Sequence, residues 1–146
     1  MPRLIPLPPA ALESRGWSAA DRVTVQVVLD GYQALIEGAD PAQVSTVYRD
    51  DYRDHASTVP GGDLTSLVAM VQQSTENAPG TEIELLQLTV DADLVVVHSK
   101  GRRNPEDGWD AIMEIFRVED SRIAEHWEVI EPAGFFHQPK DGGEDR

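Results

Sequence analysis

Residues 109–131 read Trp109-Asp-Ala-Ile-Met-Glu-Ile-Phe-Arg-Val-Glu-Asp-Ser-Arg-Ile-Ala-Glu-His-Trp-Glu-Val-Ile-Glu131. Two runs in this segment alternate branched or aromatic residues with polar ones, which is the pattern of β-strands with one buried face. Between the runs, Glu119-Asp-Ser121 supplies the short polar break that hairpin loops use. The segment is therefore predicted to form a β-hairpin, and it contains no glycine that would identify the type of turn.

Three titratable side chains stand out in this hairpin. His126 and Glu128 are two residues apart, so they share one face of the second strand, with Trp127 on the other. Glu114 lies in an otherwise apolar run of the first strand, where a buried carboxylate needs a partner or a function. A two-residue loop would place Glu114 on the face opposite His126 and Glu128, and a three-residue loop on the same face. The residues alone leave both arrangements open.

The composition fits one domain. The chain has 146 residues, of which 40% are hydrophobic, and this is enough for one full core. It holds no cysteine, which excludes disulfides, thiolate metal sites and cysteine nucleophiles. Its formal net charge of −14 disfavours nucleic acid and anionic lipid as partners. There is no run of eighteen apolar residues, and residues 1–9 hold too many prolines for a signal peptide, so a cytoplasmic protein is expected.

Helical patterns come first along the chain. Residues 1–17 are rich in proline and are predicted to form an extended arm. Three helices are then predicted from their N-terminal caps and the spacing of their apolar residues. Their start signals are Ser18-Ala-Ala-Asp21, Asp40-Pro41 and Gly62-Asp63. Between the second and third helix, Tyr48 and Tyr52 are four residues apart, which suggests a helix end that runs into a short extended piece carrying Asp54 and His55.

Strand patterns follow the helices. Residues 83–90 and 94–98 are two apolar runs separated by Asp91-Ala-Asp93, and the hairpin described above completes a sheet of four strands, or five with a short strand near residues 54–56. This order predicts an α+β fold, with three helices packed on a curved antiparallel sheet of about four to five strands and a pocket between the layers. The domain is expected to span residues 18–131. The tail, residues 132–146, carries Phe135 and Phe136 and is expected to fray.

The element order, together with residues 94–98 and 115–130, resembles the SnoaL-like polyketide cyclases of the nuclear transport factor two-like superfamily. The resemblance covers roughly residues 18–131 and implies a cone-shaped fold. In such cyclases an acidic residue on the last strand, two residues beyond a histidine, is the general acid/base of an intramolecular aldol closure. Glu128 stands there after His126, although the cyclases have Asp. Glu114 stands where they have a histidine, and Asp54 or His55 where they have an asparagine after a tyrosine.

The predicted function is therefore that of a small acid/base enzyme on a hydrophobic carbonyl compound, an aldol-type cyclase or isomerase that uses no cofactor and no metal. Glu128 is the expected base. The expected helpers are Glu114, His126 and His55. The residues expected to bind the substrate are Asp54, Tyr52, His98, Ile112 and Phe116.

Two other functions are compatible with this pattern. The same pocket suits a non-catalytic ligand-binding or dimerisation module, which would be favoured if the carboxylates were engaged in tight arginine pairs. Epoxide hydrolysis, known in the same superfamily, would need Arg117 or another arginine inside the pocket beside two acids. The resemblance also implies a homodimer that pairs through the outer face of the sheet, where Trp127 provides an apolar patch.

Overall fold

The computed structural model describes residues 1–13 and 15–134 of the chain. Its strands are β1 Arg3–Ile5, β2 Tyr48–Asp54, β3 Glu82–Asp91, β4 Leu94–Arg102, β5 Asp110–Glu119 and β6 Arg122–Glu131. Its helices are α1 Pro9–Glu13, α2 Ala19–Ile36, α3 Pro41–Val47 and α4 Leu64–Asn77. The α+β class predicted from the sequence is confirmed.

All six strands form one curved, mixed sheet in the order β1-β3-β4-β5-β6-β2. The central strands β3 to β6 are antiparallel, as expected from their consecutive hairpins. The two outer strands, β1 and β2, precede them in sequence and pair in parallel with β3 and β6. The expected sheet of four to five antiparallel strands is thus extended to six by two parallel edges.

The caps predicted for the three long helices are formed. At the start of α2 the Asp21 amide donates to Ser18 Oγ at 3.1 Å, and the Ser18 amide donates to Asp21 Oδ2 at 2.9 Å. Such reciprocal bonds satisfy amides that have no partner within the helix. Asp40 and Asp63 cap α3 and α4 through their side chains alone, accepting from backbone amides at 3.0 and 2.8 Å.

Tyr48 and Tyr52 follow the end of α3 and are not themselves helical. Both lie on β2, which begins at Tyr48, and both are buried on its inner face together with Asp54. Residues four apart share a face in a strand as well as in a helix, so the spacing alone did not distinguish the two. The predicted helix end is present, since α3 ends at Val47 with Tyr48 as its C-cap, but the extended piece is longer than expected and starts at Tyr48.

The core lies between the helices and the inner face of the sheet. Its fully buried members include Val28, Val44, Val95, Val97 and Ile123. Gly31 brings α2 close to this sheet, because a Cβ at that position would stand 2.5 Å from Ile123 Cδ1.

The N-terminal segment is attached to the sheet through β1, and Arg3 pairs with the buried Glu82. Leu7 packs in the core and is only 6% exposed. At the other end, Phe135 and Phe136 lie outside the described residues. In the part of the chain described, no helix has the length and apolar character needed to cross a membrane.

Candidate active site

The β5–β6 hairpin places its two carboxylates on the same face. Glu114 and Glu128 are direct partners in the register of the two strands, and Phe116 is paired with His126. The turn itself has only two residues, Asp120 and Ser121, with φ of 52° and 59°. A register shift after the turn, where Arg117 pairs with Glu125 but Val118 pairs with Ile123, leaves Ala124 as an extra residue. Glu114, His126 and Glu128 therefore share the inner face, which is one of the two arrangements that the residues alone left open.

A chain of hydrogen bonds connects the buried polar groups of this face. His126 Nε2 lies 2.7 Å from Glu114 Oε2, and His126 Nδ1 lies 3.1 Å from Asp54 Oδ1. Parallel pairing of β2 with β6 sets Asp54 beside His126, 72 residues later in the chain. A tyrosine hydroxyl donates at each end of this series of hydrogen bonds. The Tyr32 hydroxyl donates to Glu114 Oε1 at 2.6 Å, and the Tyr52 hydroxyl donates to Asp54 Oδ2 at 2.5 Å.

This arrangement holds His126 in its protonated form. Burial lowers the pKa of His126, but the hydrogen bonds and negative charges of Asp54 and Glu114 outweigh burial and raise that pKa to about 10. Burial likewise acts to raise the pKa of Asp54, and the bonds from His126 and Tyr52 bring it below its usual value. At neutral pH the imidazole is therefore a cation between carboxylates. A cation already bonded through both nitrogens is poorly placed to act as a base.

Glu128 is in a different electrostatic situation. Burial, followed by the negative charge of Glu114, raises the pKa of Glu128 to about 7, although His126 and a hydrogen bond from Thr58 act in the opposite direction. The bond from Thr58 Oγ1 is long, at 3.3 Å. Within residues 1–13 and 15–134, Glu128 forms no ion pair. It is thus a carboxyl group that can change its protonation state near neutral pH.

These groups line a cavity with a volume of about 220 Å³, between the helices and the inner face of the sheet. Its polar side chains include Tyr32, Tyr48, Tyr52, Asp54, Thr58, Glu114, His126 and Glu128. Its apolar wall includes Leu35, Ile36, Leu67, Met70, Val71, Ile83, Ile112 and Phe116. Ligand pockets usually measure about 300–1,000 Å³, so this cavity suits a small ligand or one that is partly enclosed.

Two of the predicted histidines lie elsewhere. His55 does not line the cavity. Its Nε2 is 2.6 Å from Glu125 Oε2, and its ring stacks on Trp127 with centroids 5.0 Å apart. His98 is on the outer face of β4, where its Nδ1 is 3.2 Å from Gln87 Nε2. Since side chains alternate along a strand, Asp54 and His55 cannot both face inward. The structure therefore places Asp54, Tyr52, Ile112 and Phe116 on the cavity wall, and His55 and His98 away from it.

Sequence reasoning assigned no role to several residues that the structure brings to the cavity. Tyr32 and Thr58 contact the two glutamates directly, and Tyr48 lies on the cavity wall beside Tyr52. A signal for Tyr32 was present, because it is the one hydroxyl-bearing aromatic on the apolar face of α2. Thr58 sits in a loop after β2, and no local pattern points to it.

The same side chains are the ones that could hold a divalent ion. One ligand atom each from Glu114, His126 and Glu128 lies within 4.8 Å of the others. Imidazole binds a metal only as the neutral base, and here Nε2 is already bonded to Glu114. A metal ion bound at His126 Nε2 would therefore have to replace the hydrogen bond to Glu114.

Comparisons with known proteins identify the fold. A family model of the SnoaL-like domain matches residues 28–126. A candidate SnoaL-like polyketide cyclase from Jannaschia sp. CCS1 superposes with a TM-score of 0.67 at 16% identity, over 81% of this chain and 92% of its own. IdmH from Streptomyces antibioticus, a candidate polyketide cyclase, gives 0.63 at 16% identity over 74% and 91% of the two chains.

TsrD from Streptomyces laurentii gives a TM-score of 0.61 at 20% identity, over 76% of this chain and 90% of its own. At such identities the likeness is one of fold. The search of curated proteins found no match. Since the family model spans more than half of the sequence, the chain belongs to the SnoaL-like domain family.

Proposed function

We propose that this chain is a small acid/base enzyme that acts on a hydrophobic carbonyl compound, as an aldol-type cyclase or an isomerase, without a cofactor. The observation that carries the proposal is Glu128, a carboxyl group in a largely apolar cavity whose pKa is raised to about 7. A general base works best when its pKa is close to the working pH. The names of similar solved structures, candidate polyketide cyclases among them, support the same class of reaction.

Ionised Glu128 is the proposed base. Its carboxylate removes a proton from the carbon next to the substrate carbonyl, and the electron pair of the broken C–H bond forms an enolate. In an isomerisation, the Glu128 carboxylic acid returns the proton to another carbon of the conjugated system. In an aldol closure, the enolate carbon forms a C–C bond to a second carbonyl carbon, and Glu128 protonates the alkoxide that results. Either route restores the carboxylate.

Glu114, His126 and Asp54 act through Glu128 in this proposal. Both oxygens of Glu114 are engaged, one by Tyr32 and one by His126, so Glu114 is not free to accept a substrate proton. Its negative charge contributes to the raised pKa of Glu128. His126 keeps Glu114 oriented and places a positive charge between Glu114 and Asp54. His55, which is outside the cavity wall, has no part in this mechanism.

The experiment is a Kemp elimination with 5-nitrobenzisoxazole, a small apolar probe from which a base removes a ring proton to give a coloured nitrophenolate. The wild-type protein is expected to accelerate the reaction, and Glu128→Gln to lower kcat/KM by about 100-fold or more, the usual contribution of a positioned base. Glu125→Gln is the matched control, since Glu125 lies on the same strand but faces outward. A folded Glu128→Gln protein with the wild-type rate would contradict the proposal.

Two alternatives are less well supported. A binding module was expected to have its carboxylates in arginine pairs, but the partners of Glu114 and Asp54 are tyrosine, histidine and a backbone amide. Epoxide hydrolysis was expected to need Arg117 in the pocket. Arg117 instead pairs with Glu119 and Glu125, and among the described residues that line the cavity there is no arginine.

We also propose that two copies of the chain pair through the outer face of β5 and β6. Met113, Ile115 and Val129 are 47%, 38% and 73% exposed there, next to the half-buried Trp127. Exposed apolar side chains gathered on one face are typical of an association surface. The cavity opens on the other face of the sheet, so pairing would leave it accessible.

A further inference from the structure

Three tyrosines line the cavity, and two of their hydroxyls are committed to carboxylates. Tyr32 donates to Glu114 at 2.6 Å and Tyr52 donates to Asp54 at 2.5 Å. The hydroxyl of Tyr48 has no hydrogen-bond partner among residues 1–13 and 15–134. Tyr48 is therefore the one phenol on the cavity wall that is free to bind something else.

The hydroxyl of Tyr48 keeps some access to the cavity, because in residues 1–13 and 15–134 the fully enclosed side-chain polar atom without a hydrogen-bond partner is Ser99 Oγ. The residue is only 2% exposed, so bulk water does not reach most of its side chain. A phenol hydroxyl on the wall of a largely apolar cavity is a donor for which a ligand oxygen or water is the remaining partner. The packing of the ring is explained by an edge-to-face contact with Tyr52, with centroids 5.1 Å apart, but that contact gives the oxygen no partner.

The backbone of α2 is shaped to leave room at this hydroxyl. A Cβ at Gly31 would stand 3.3 Å from the Tyr48 oxygen, closer than most side-chain contacts, and 2.5 Å from Ile123 Cδ1. Glycine at position 31 thus lets the ring reach the cavity without a clash. Burial, with the negative charges of Glu114 and Asp54, raises the pKa of Tyr48 well above its usual value. The phenol remains protonated and is a hydrogen-bond donor at any working pH.

We propose that Tyr48 is the ligand-anchoring residue of the cavity, and that its hydroxyl donates a hydrogen bond to a carbonyl oxygen of the ligand. The ligand's oxygen-bearing end then lies beside Tyr48. Its hydrocarbon part contacts the apolar wall formed by side chains such as Leu67, Met70 and Ile83. The ligand class, a hydrophobic carbonyl compound, is taken from the proposed function. The anchoring role is a statement about binding and does not depend on turnover.

The test compares two bicyclic probes of nearly the same shape, 1-indanone and 1-methyleneindane, which differ in having C=O or C=CH2. Dissociation constants of both are measured for the wild-type protein and for Tyr48→Phe by calorimetry or by NMR titration. A neutral hydrogen bond contributes about 1 kcal/mol, so Tyr48→Phe is expected to weaken 1-indanone about fivefold and to leave 1-methyleneindane unchanged. The ratio of the two constants cancels differences in the hydration of the probes.

1-Methyleneindane is the matched control, since it has no oxygen for Tyr48 to contact and a general change in the cavity weakens both probes alike. A ratio that is the same in wild type and Tyr48→Phe overturns the proposal, whether both probes weaken together or neither changes. Failure of both probes to bind the wild-type protein also overturns it. The comparison measures binding and not turnover, so it can fail while the Kemp elimination succeeds. A failure of the Kemp elimination, in turn, leaves the binding comparison intact.

Discussion

Glu114 and Glu128 stand directly opposite each other on β5 and β6, on the face that lines the cavity. With its two-residue turn, an uninterrupted hairpin would pair Glu114 with Trp127 and direct Glu128 outward. The extra residue Ala124 shifts the register by one and reverses this. A single bulge therefore decides that the two carboxylates interact, which is one reason for the raised pKa of Glu128.

The pH dependence of catalysis should report Glu128. Because its pKa is raised to about 7 and the ionised form is the proposed base, kcat/KM for the Kemp probe should rise with pH below 7 and level off above it. The rate at pH 5 is expected to be about 100-fold below the plateau. Rates are measured from pH 5 to 9 with the uncatalysed rate subtracted. A profile that is flat over this range would contradict the assignment.

The stability contributed by His126 should fall as the pH rises. Its pKa is about 10 in the folded protein, against an ordinary value of 6.5, so protonation favours the folded state. This contribution is complete below about pH 6.5 and is lost as the pH rises toward 10. The difference in unfolding free energy between wild type and His126→Gln should fall by about 1.4 kcal/mol per pH unit across that window. Urea denaturation at pH 6, 8 and 9.5 checks this, and a constant difference would count against it.

Replacing Ser121 with glycine should stabilise the hairpin. Asp120 and Ser121 both have positive φ, which residues with a Cβ adopt at a cost of about 1–2 kcal/mol and glycine adopts freely. Ser121→Gly is expected to raise the unfolding free energy by about 1 kcal/mol after the entropy of glycine is taken into account. Ser121→Ala, which keeps the Cβ, is the control and should give no gain. Thermal unfolding of the three proteins decides the point.

Ser99 offers a second stabilising substitution. Its side chain is completely buried on β4, and its hydroxyl has no partner in the part of the chain that the structure describes. Ser99→Ala removes an unpaired polar atom and should raise the unfolding free energy by about 1 kcal/mol. In Ser45→Ala, the comparison variant, the lost hydroxyl is exposed and bonded to the Ala42 carbonyl at 2.9 Å. No gain is expected there, and equal effects would show that burial without a partner is not the cause.

The proposed homodimer is tested by light scattering at micromolar concentration. The wild type is expected to scatter as a dimer, and Val129→Glu, with a charge on the outer face of β6, as a monomer. Val23→Glu is the matched control, because Val23 is 55% exposed on α2 and away from that face. A wild-type protein that is monomeric under these conditions would refute the dimer.

Much of the architecture could be predicted because it is encoded locally. The capping box of Ser18 and Asp21, and the caps at Asp40 and Asp63, involve residues within one helical turn of each other, and the structure has all three. The alternation of apolar and polar residues in 109–131 identified both strands of the hairpin. It also predicted that His126 and Trp127 lie on opposite faces. Such features depend on the backbone geometry of a few consecutive residues. A short stretch of sequence is therefore enough to predict them.

The sequence by itself therefore determined the α+β class, the helix starts, the hairpin and the choice of Glu128 and His126 as residues of interest. Only the tertiary structure decided which groups meet. The bulge at Ala124 places Glu128 opposite Glu114. The parallel pairing of β2 with β6 places Asp54 beside His126. Because side chains alternate, His55 then faces outward, where it contacts Glu125. The reason is that contacts between residues some 70 positions apart depend on register and strand order. Those are set by packing of the whole sheet against the helices, and no local pattern carries them.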